Sequence, residues 1–100
     1  MFVHHVFFWL KNDLSQEQVQ QFEESLKGLL TLQQVAMGDV GKPSATSGGV
    51  IDNTYSYSLM LHFDSIKEHD AYQSDPHHEH FVQSNGPLWQ KVLVYDSESI

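Results

Sequence analysis

Residues 2–11 have the sequence FVHHVFFWLK, a run rich in aromatic and β-branched side chains. Such a composition favours a β-strand, and apolar groups occur at both alternating sets of positions. A strand that is apolar on both faces usually lies between two layers of structure. The alternation places His5, Phe7 and Trp9 on one face, and His4, Val6, Phe8 and Leu10 on the other.

The next segment is predicted to be a helix over residues 15–30. Ser15 stands where an N-cap would, and Gln18 follows three residues later, as in a capping box. Apolar residues then recur at helical spacing, with glutamine and glutamate between them. A short strand is expected at 35–40, followed by a loop rich in glycine and serine at 41–49.

The second half of the chain repeats the order of strand and helix. Residues 55–63 alternate between apolar and polar side chains, which predicts a strand, and a helix is expected from about 65 to 74. Asp75-Pro76 then begins another helical segment, since aspartate is a good N-cap and proline suits the first helical position. The Asn-Gly-Pro sequence at 85–87 ends it, one further turn is expected over the next few residues, and a final strand at 92–95 precedes a polar tail.

The element order β-α-β-β-α-β, with a broken second helix, predicts an α+β ferredoxin-like fold in a single domain spanning 1–100. A four-stranded antiparallel sheet would carry its helices on one face. The other face then needs a cover, so we expect a homodimer that buries sheet against sheet as an α/β barrel. This interface is expected to involve Val6 or Phe8, with His5, Phe7 and Trp9 turned towards the helices.

Charge and composition exclude several classes of function. The 100 residues include no cysteine and no arginine, and the net charge is -8. The absence of cysteine excludes disulfides, thiolate zinc sites and a cysteine nucleophile, and the negative charge disfavours nucleic acids and anionic membranes as partners. No apolar run reaches the roughly 20 residues of a membrane span, and the N-terminus lacks a basic signal-peptide region. We therefore expect a cytoplasmic protein.

Seven histidines are unusual in so short a chain, and three of them cluster with Glu79 at His77, His78 and His80. The spacing is not that of His-Glu-x-x-His, and on a helix the flanking imidazoles project away from His78. We expect a solvated turn and no bound metal. His4 and His62 fall on the faces assigned to the dimer, where they would line the barrel or respond to pH.

Four segments, taken in order, resemble the stress-responsive α/β-barrel (Dabb) domain family. They are HHVFFWLK at 4–11, YQSDPHH at 72–78, LW at 88–89 and VLVYD at 92–96. The resemblance implies ferredoxin-like protomers that pair through their sheets. It extends to the plant polyketide (olivetolic acid) cyclases, which work without metal or organic cofactor. It implies catalytic roles for Tyr72 and His78 and a pocket position for His5, with Trp89 as an aromatic residue nearby. The 42–53 loop differs from that of the cyclases, and no role is assigned to it.

The proposed catalytic pair depends on the helix break. Residues six positions apart on a continuous helix differ in direction by about 600°, so Tyr72 and His78 would point apart. A restart at Pro76 lets them converge. His78 would then lie in the first turn of a helix, where the dipole favours the neutral imidazole that a general base requires. We expect His5, Phe7, Trp9 and Trp89 to line the same cavity and bind substrate. In the simpler alternative, Tyr72 and His78 are structural residues joined by a hydrogen bond.

Besides a purely structural assembly module, in which the apparent pocket is only core packing, three functions remain open from the sequence. The first is cofactor-independent cyclase, isomerase or lyase chemistry, with His78 as base and Tyr72 assisting. The second is a stress-associated dimer that binds a small apolar or aromatic ligand without turnover. The third, by analogy of fold alone, is an activity like that of the antibiotic-biosynthesis monooxygenases.

Overall fold

Four strands and three helices make up the computed structural model, which describes residues 1–100. In chain order they are β1 (Phe2–Leu10), α1 (Gln16–Gly28), β2 (Met37–Gly41), β3 (Tyr57–Phe63), α2 (Ile66–Ser74), α3 (Pro76–Asn85) and β4 (Trp89–Glu98). Short 3-10 turns at Leu29–Thr31 and Gly86–Leu88 follow α1 and α3. No helix combines the length and the apolar character that a membrane crossing requires.

The strands form one antiparallel sheet in the order β2-β3-β1-β4. Val6 at the middle of β1 faces Leu59 of β3 on one side and Val94 of β4 on the other. All three helices pack on one face of this sheet, where Phe22 of α1 and Phe81 of α3 meet Phe8 of β1. The predicted ferredoxin-like fold is confirmed.

The helix boundaries follow from the capping residues. The Ser15 Oγ accepts a hydrogen bond from the Gln18 backbone N–H at 3.1 Å, and the Gln18 side chain accepts one from the Ser15 N–H at 2.8 Å. This capping box, visible in the sequence, fixes the start of α1. The predicted helix break is also present: Asp75 has extended backbone angles, φ -65° and ψ 133°, and Pro76 begins α3.

The last strand is longer than predicted. β4 runs from Trp89 to Glu98, so the expected polar tail from Asp96 onward is wrong for its first three residues. Phe2 of β1 faces Glu98, and the backbone pairing of an edge strand continues whether or not its side chains are apolar. The extra turn, predicted over 88–91, is a 3-10 turn that spans Gly86–Leu88 instead.

The two faces of β1 are reversed relative to the prediction. Val6 and Phe8 are buried beneath the helices of their own chain, so the expected dimer contact through them is wrong. Both sets of alternating positions are apolar, and an alternation with period two does not say which set meets the helices. The residues assigned to the helix side, His5, Phe7 and Trp9, instead lie half-buried on the open face of the sheet.

Gly38, in the edge strand β2, is packed too closely against its neighbours to accommodate a side chain. A Cβ at Gly38 would lie 2.7 Å from the Met60 carbonyl oxygen, 2.8 Å from the Leu61 side chain and 2.9 Å from the Leu30 side chain. Gly38→Ala is therefore expected to lower the free energy of unfolding by about 1–3 kcal/mol, the usual cost of overpacking. Urea unfolding measures this difference.

The matched control is Gly28→Ala, at the end of α1. Gly28 has helical angles, φ -60° and ψ -30°, and a Cβ added there would have no neighbouring atom within 4 Å. Alanine there should raise the free energy of unfolding by up to about 1 kcal/mol, since it costs less backbone entropy than glycine. Equal stabilities of the two variants would contradict the packing argument at Gly38.

Candidate functional site

A largely apolar cavity of about 180 Å³ lies between the helices and the β4 side of the sheet. Its polar groups come from three elements: His4 from β1, Tyr72 and Gln73 from α2, and His78 from α3. Trp89 at the start of β4 closes one wall. The remaining lining is aliphatic or aromatic, so a bound molecule would meet few competing polar groups.

Tyr72 and His78 converge in this cavity. Their ring centres are 4.7 Å apart, with 56° between the ring planes. The extended backbone of Asp75 separates the two helices and resets their register, as predicted. The Asp75 carboxylate accepts hydrogen bonds from Gln34 Nε2 at 3.0 Å and from the His77 backbone N–H at 2.8 Å. These bonds hold the pKa of Asp75 down at about 2, with the Gln34 bond contributing most.

Burial sets the protonation states of the pair. It raises the pKa of Tyr72 above its usual range, so the phenol keeps its proton and is able to donate a hydrogen bond. Burial also lowers the pKa of His78, although a hydrogen bond to the Gln73 backbone carbonyl acts in the opposite direction. Near neutral pH the site therefore holds a neutral imidazole beside a neutral phenol. The first can accept a proton and the second can stabilise a developing negative charge.

The histidine that β1 contributes to the cavity is His4. The sequence predicted His5 at this place and His4 on the opposite face of the strand. His4 is 5% exposed, and its Nδ1 lies 2.6 Å from Oδ1 of Asp96 on β4. Burial lowers the pKa of His4, and the Asp96 hydrogen bond opposes this effect. His4 and Asp96 are paired across adjacent strands. The sequence does not reveal the strand register that forms this pair. It also gives no reason to prefer His4 over His5 as the histidine of the cavity.

The expected placement of His5, Phe7 and Trp9 in the cavity is wrong. The rings of His5 and Phe7 are 4.4 Å apart on the open sheet face, and Phe7 also contacts Tyr55 at 5.0 Å. On the same face, Trp9 donates a hydrogen bond from Nε1 to Thr54 Oγ1 at 2.9 Å. No contact of these side chains reaches the cavity, because the sheet stands between them and the helices.

Trp89 lies where the sequence predicted it, at the cavity wall. Its ring packs 5.4 Å from Phe8 and 6.0 Å from Phe81. Its indole Nε1 is buried and has no hydrogen-bond partner in the chain. A buried donor without a partner is costly, so this N–H is an unsatisfied polar group in the cavity wall.

The His-rich turn divides between two environments. Only His78 reaches the apolar cavity. His77 is largely exposed and its Nδ1 lies 2.9 Å from an Asp75 carboxylate oxygen, while His80 lies 3.3 Å from Ser84 Oγ. The flanking imidazoles border a separate polar groove between α1 and α3. The predicted divergence of these side chains is confirmed.

Acidification is expected to destabilise the fold. Burial lowers the pKa values of His4, His5 and His78 in the folded chain. The unfolded chain therefore binds more protons just below the ordinary histidine pKa of about 6.5, so the free energy of unfolding falls as pH falls through that value. Urea unfolding at about pH 7.5 and about pH 5.5 measures the difference. His78→Gln should show a weaker pH dependence, and greater stability of the wild type at the lower pH would contradict the argument.

The sequence matches the family described as the Stress Responsive A/B Barrel Domain, Dabb, over residues 2–99. The chain belongs to this Dabb family. No curated protein matches the chain in sequence. The predicted family resemblance is thereby confirmed over nearly the whole chain.

Several solved structures share the fold at low sequence identity. A protein from Arabidopsis thaliana is 20% identical with a TM-score of 0.83, covering 100% of this chain and 96% of that chain. A Dabb family protein from Mesorhizobium loti is 22% identical, with a TM-score of 0.80 and coverages of 99% and 96%. A hydroxynitrile lyase from Passiflora edulis is 20% identical, with a TM-score of 0.79 and coverages of 99% and 95%. At such identities the likeness concerns the fold alone.

Two further structures share the same fold. A dimeric ferredoxin-like protein from Thermobifida fusca is 17% identical, with a TM-score of 0.79 and coverages of 98% and 90%. A putative antibiotic biosynthesis monooxygenase from Nitrosomonas europaea is 14% identical, with a TM-score of 0.73 and coverages of 100% and 99%. Similar Dabb-like folds thus occur in proteins with different names and activities.

Proposed function

We propose that the cavity binds a small, mainly apolar carbonyl compound and makes or breaks a carbon–carbon bond by proton transfer. The observation that carries this proposal is the pairing of Tyr72 and His78, with ring centres 4.7 Å apart in a largely apolar cavity. A base and a hydrogen-bond donor side by side are the groups that aldol-type and lyase reactions require. The residue roles are those that the family resemblance implies, with His4 replacing His5.

In the bond-breaking direction, the neutral His78 imidazole removes the hydroxyl proton of a β-hydroxy carbonyl compound or a cyanohydrin. The oxygen then forms a carbonyl group as the adjacent carbon–carbon bond breaks. The electron pair of that bond remains on the departing carbon, which is stabilised as an enolate or as cyanide. Tyr72 donates a hydrogen bond to an oxygen on which charge develops, and the His78 imidazolium returns the proton to the leaving fragment. The reverse sequence joins the two fragments, as in a cyclisation.

The size and lining of the cavity support a small substrate. Its volume of about 180 Å³ is below the roughly 300–1,000 Å³ typical of sites for drug-sized molecules. A hydroxynitrile lyase with the same fold gives this reaction class a precedent.

The second candidate is carriage of a small apolar or aromatic ligand without turnover. Val82, Val92 and Val94 line the cavity and remain 40%, 36% and 44% exposed. An apolar cavity wall of this kind suits a protein that takes up and releases a hydrophobic ligand. The monooxygenase alternative rests on likeness of fold alone. A cytoplasmic location and a role in stress stay predictions.

We further propose that the protein is a homodimer closed through the open sheet face, forming the predicted α/β barrel. Phe7 and Trp9 are half-buried on that face, where Tyr55 packs against both and Tyr95 packs against Phe7. A second copy would remove this aromatic surface from water. Related folds described as dimeric support the same arrangement.

Turnover of a defined panel tests the proposed function. Purified protein is incubated with β-hydroxy ketones, aliphatic and aromatic cyanohydrins and linear polyketide thioesters, and products are followed by NMR spectroscopy. We expect the wild type to convert at least one class faster than the Tyr72→Phe/His78→Gln double variant. Saturable binding with equal background rates for both proteins would favour the carrier. Neither binding nor turnover of any class would contradict the proposal.

A further inference from the structure

Three potential metal ligands from three different elements meet beside the cavity: His4 of β1, His69 of α2 and Asp96 of β4. Each offers one ligand atom, and these atoms all lie within 4.8 Å of one another. We propose that this triad is a binding site for a divalent first-row transition metal ion, with Zn²⁺ as its simplest probe. The site goes beyond the proposed reaction and does not depend on it.

The ligand atoms are near one another but are not yet at coordination distances. His4 Nδ1 and Asp96 Oδ1 are 2.6 Å apart, and the ring centres of His4 and His69 are 5.0 Å apart. Zinc bonds of about 2.0–2.2 Å place neighbouring tetrahedral ligand atoms roughly 3.3 Å apart. Binding at these atoms therefore needs a small separation of His4 from Asp96 and an inward shift of His69. Coordination requires both imidazoles to be neutral and Asp96 to be ionised, and the ring proton that His4 Nδ1 donates to Asp96 must first move to Nε2.

Aromatic packing holds the two imidazoles in place. The His69 ring lies 4.5 Å from Phe2 and 5.6 Å from Phe63, and its side chain is only 12% exposed. His4 packs edge-on against Phe63 and Tyr72. The Asp96 side chain is 40% exposed, which gives an ion a path from solvent. Binding would therefore order few additional side chains.

The neighbours of His69 determine which of its ring nitrogens carries the proton. Its Nδ1 lies 3.1 Å from an Asp70 carboxylate oxygen, which can only accept a hydrogen bond when ionised. Nδ1 therefore carries the ring proton, and Nε2 is left with its lone pair. The Gln73 amide lies 3.4 Å from that nitrogen, a long contact that a metal ion can replace. A carboxylate behind a ligating histidine is the usual outer support of such sites.

The donor set selects the class of metal. Two imidazole nitrogens and one carboxylate suit zinc, cobalt, nickel, copper or iron, whereas magnesium and calcium prefer oxygen ligands. The neutral imidazoles and the carboxylate together carry a net charge of about -1. Binding of a divalent ion would make the net charge of the site positive. The His-rich turn lacks this convergence, because His77 faces Asp75 and His80 faces Ser84.

Zinc binding to the untagged full-length protein tests the site. After treatment with a chelator, zinc is added in a competition titration against a chromophoric indicator, and the Co²⁺ complex is followed by visible absorption. We expect one saturable site per chain. His69→Gln and Asp96→Asn should each weaken zinc binding by at least about 100-fold, since loss of a ligand should exceed the 10–100-fold effect of an outer-shell change. His77→Gln and His80→Gln are the matched controls and should bind zinc as the wild type does.

Asp70→Asn keeps all three ligands and is expected to weaken zinc binding by about 10-fold. It also provides a test if a ligand variant fails to fold, which circular dichroism would reveal. Saturating zinc should raise the unfolding temperature of the wild type but not that of Asp96→Asn. The proposal is overturned if the wild type has no saturable site, if Asp96→Asn binds zinc with wild-type affinity, or if only the His77 and His80 variants lose binding.

Discussion

His78→Gln is expected to slow the reaction by on the order of 10³-fold, within the 10²–10⁴-fold range of general acid–base catalysis. Glutamine keeps a polar side chain of similar length but cannot accept and return a proton near neutral pH. Burial keeps the wild-type imidazole neutral by lowering the pKa of His78. The rate should therefore be lost as pH falls through that lowered pKa, below the ordinary histidine value of about 6.5.

The kinetic measurement is a comparison of kcat and KM for the substrate that the panel identifies. His77→Gln is the matched control, since it makes the same change one residue earlier on α3 and its side chain lies outside the cavity. It should retain the wild-type kcat. A His78→Gln variant that turns over at the wild-type rate would remove His78 from the mechanism.

Tyr72→Phe distinguishes the contribution of the hydroxyl group from that of the aromatic ring. The ring packs 5.1 Å from Phe63 and belongs to the core, so phenylalanine should preserve the fold. Loss of one donor to a developing oxyanion should lower kcat by on the order of 10²-fold with little change in KM. A change confined to KM would instead assign the hydroxyl to ground-state binding.

The features that local sequence could predict are those whose causes are local. The capping box at Ser15 and the restart at Asp75-Pro76 depend on residues within four positions of each other. The convergence of Tyr72 with His78 follows from that restart. These short-range rules also give the element order, and through it the fold.

The features that sequence could not predict depend on strand register and on the choice of face. His4 and His5 are adjacent and chemically identical, and both faces of β1 are apolar. Only the helices packed over Val6 and Phe8 decide which histidine enters the cavity. The hydrogen-bond partner of the buried His4 is Asp96, which is 92 residues away in the sequence.

The metal-ligand triad illustrates the same limit. His4, His69 and Asp96 have no recognisable spacing in the chain, whereas the conspicuous cluster at residues 77–80 diverges in space. Short ligand motifs are visible in a sequence only when one turn or one helix supplies several ligands. Here each ligand comes from a different element, so only the packed structure brings them together.

Phe7→Glu is expected to dissociate the proposed homodimer, raising its Kd by at least about 30-fold, which corresponds to about 2 kcal/mol. Phe7 contacts His5, Tyr55 and Tyr95 on the open sheet face. A carboxylate there would be removed from water when two sheets meet, which costs far more than burial of a phenyl ring. Sedimentation equilibrium at micromolar concentrations measures the change. Ile66→Glu is the control, because Ile66 is 53% exposed at the start of α2, on the helix-covered side of the sheet.

The neighbouring residue provides a test of which face forms the interface. Phe8 is 2% exposed and packs against Phe22 and Phe81 within one chain. Phe8→Ala should therefore lower the free energy of unfolding by about 3–5 kcal/mol, the usual cost of emptying a core phenylalanine site. Phe7→Glu should instead leave a folded monomer, because its side chain already contacts solvent. A wild type that is monomeric at micromolar concentrations would rule out the dimer. Dissociation by Ile66→Glu but not by Phe7→Glu would move the interface to the helices.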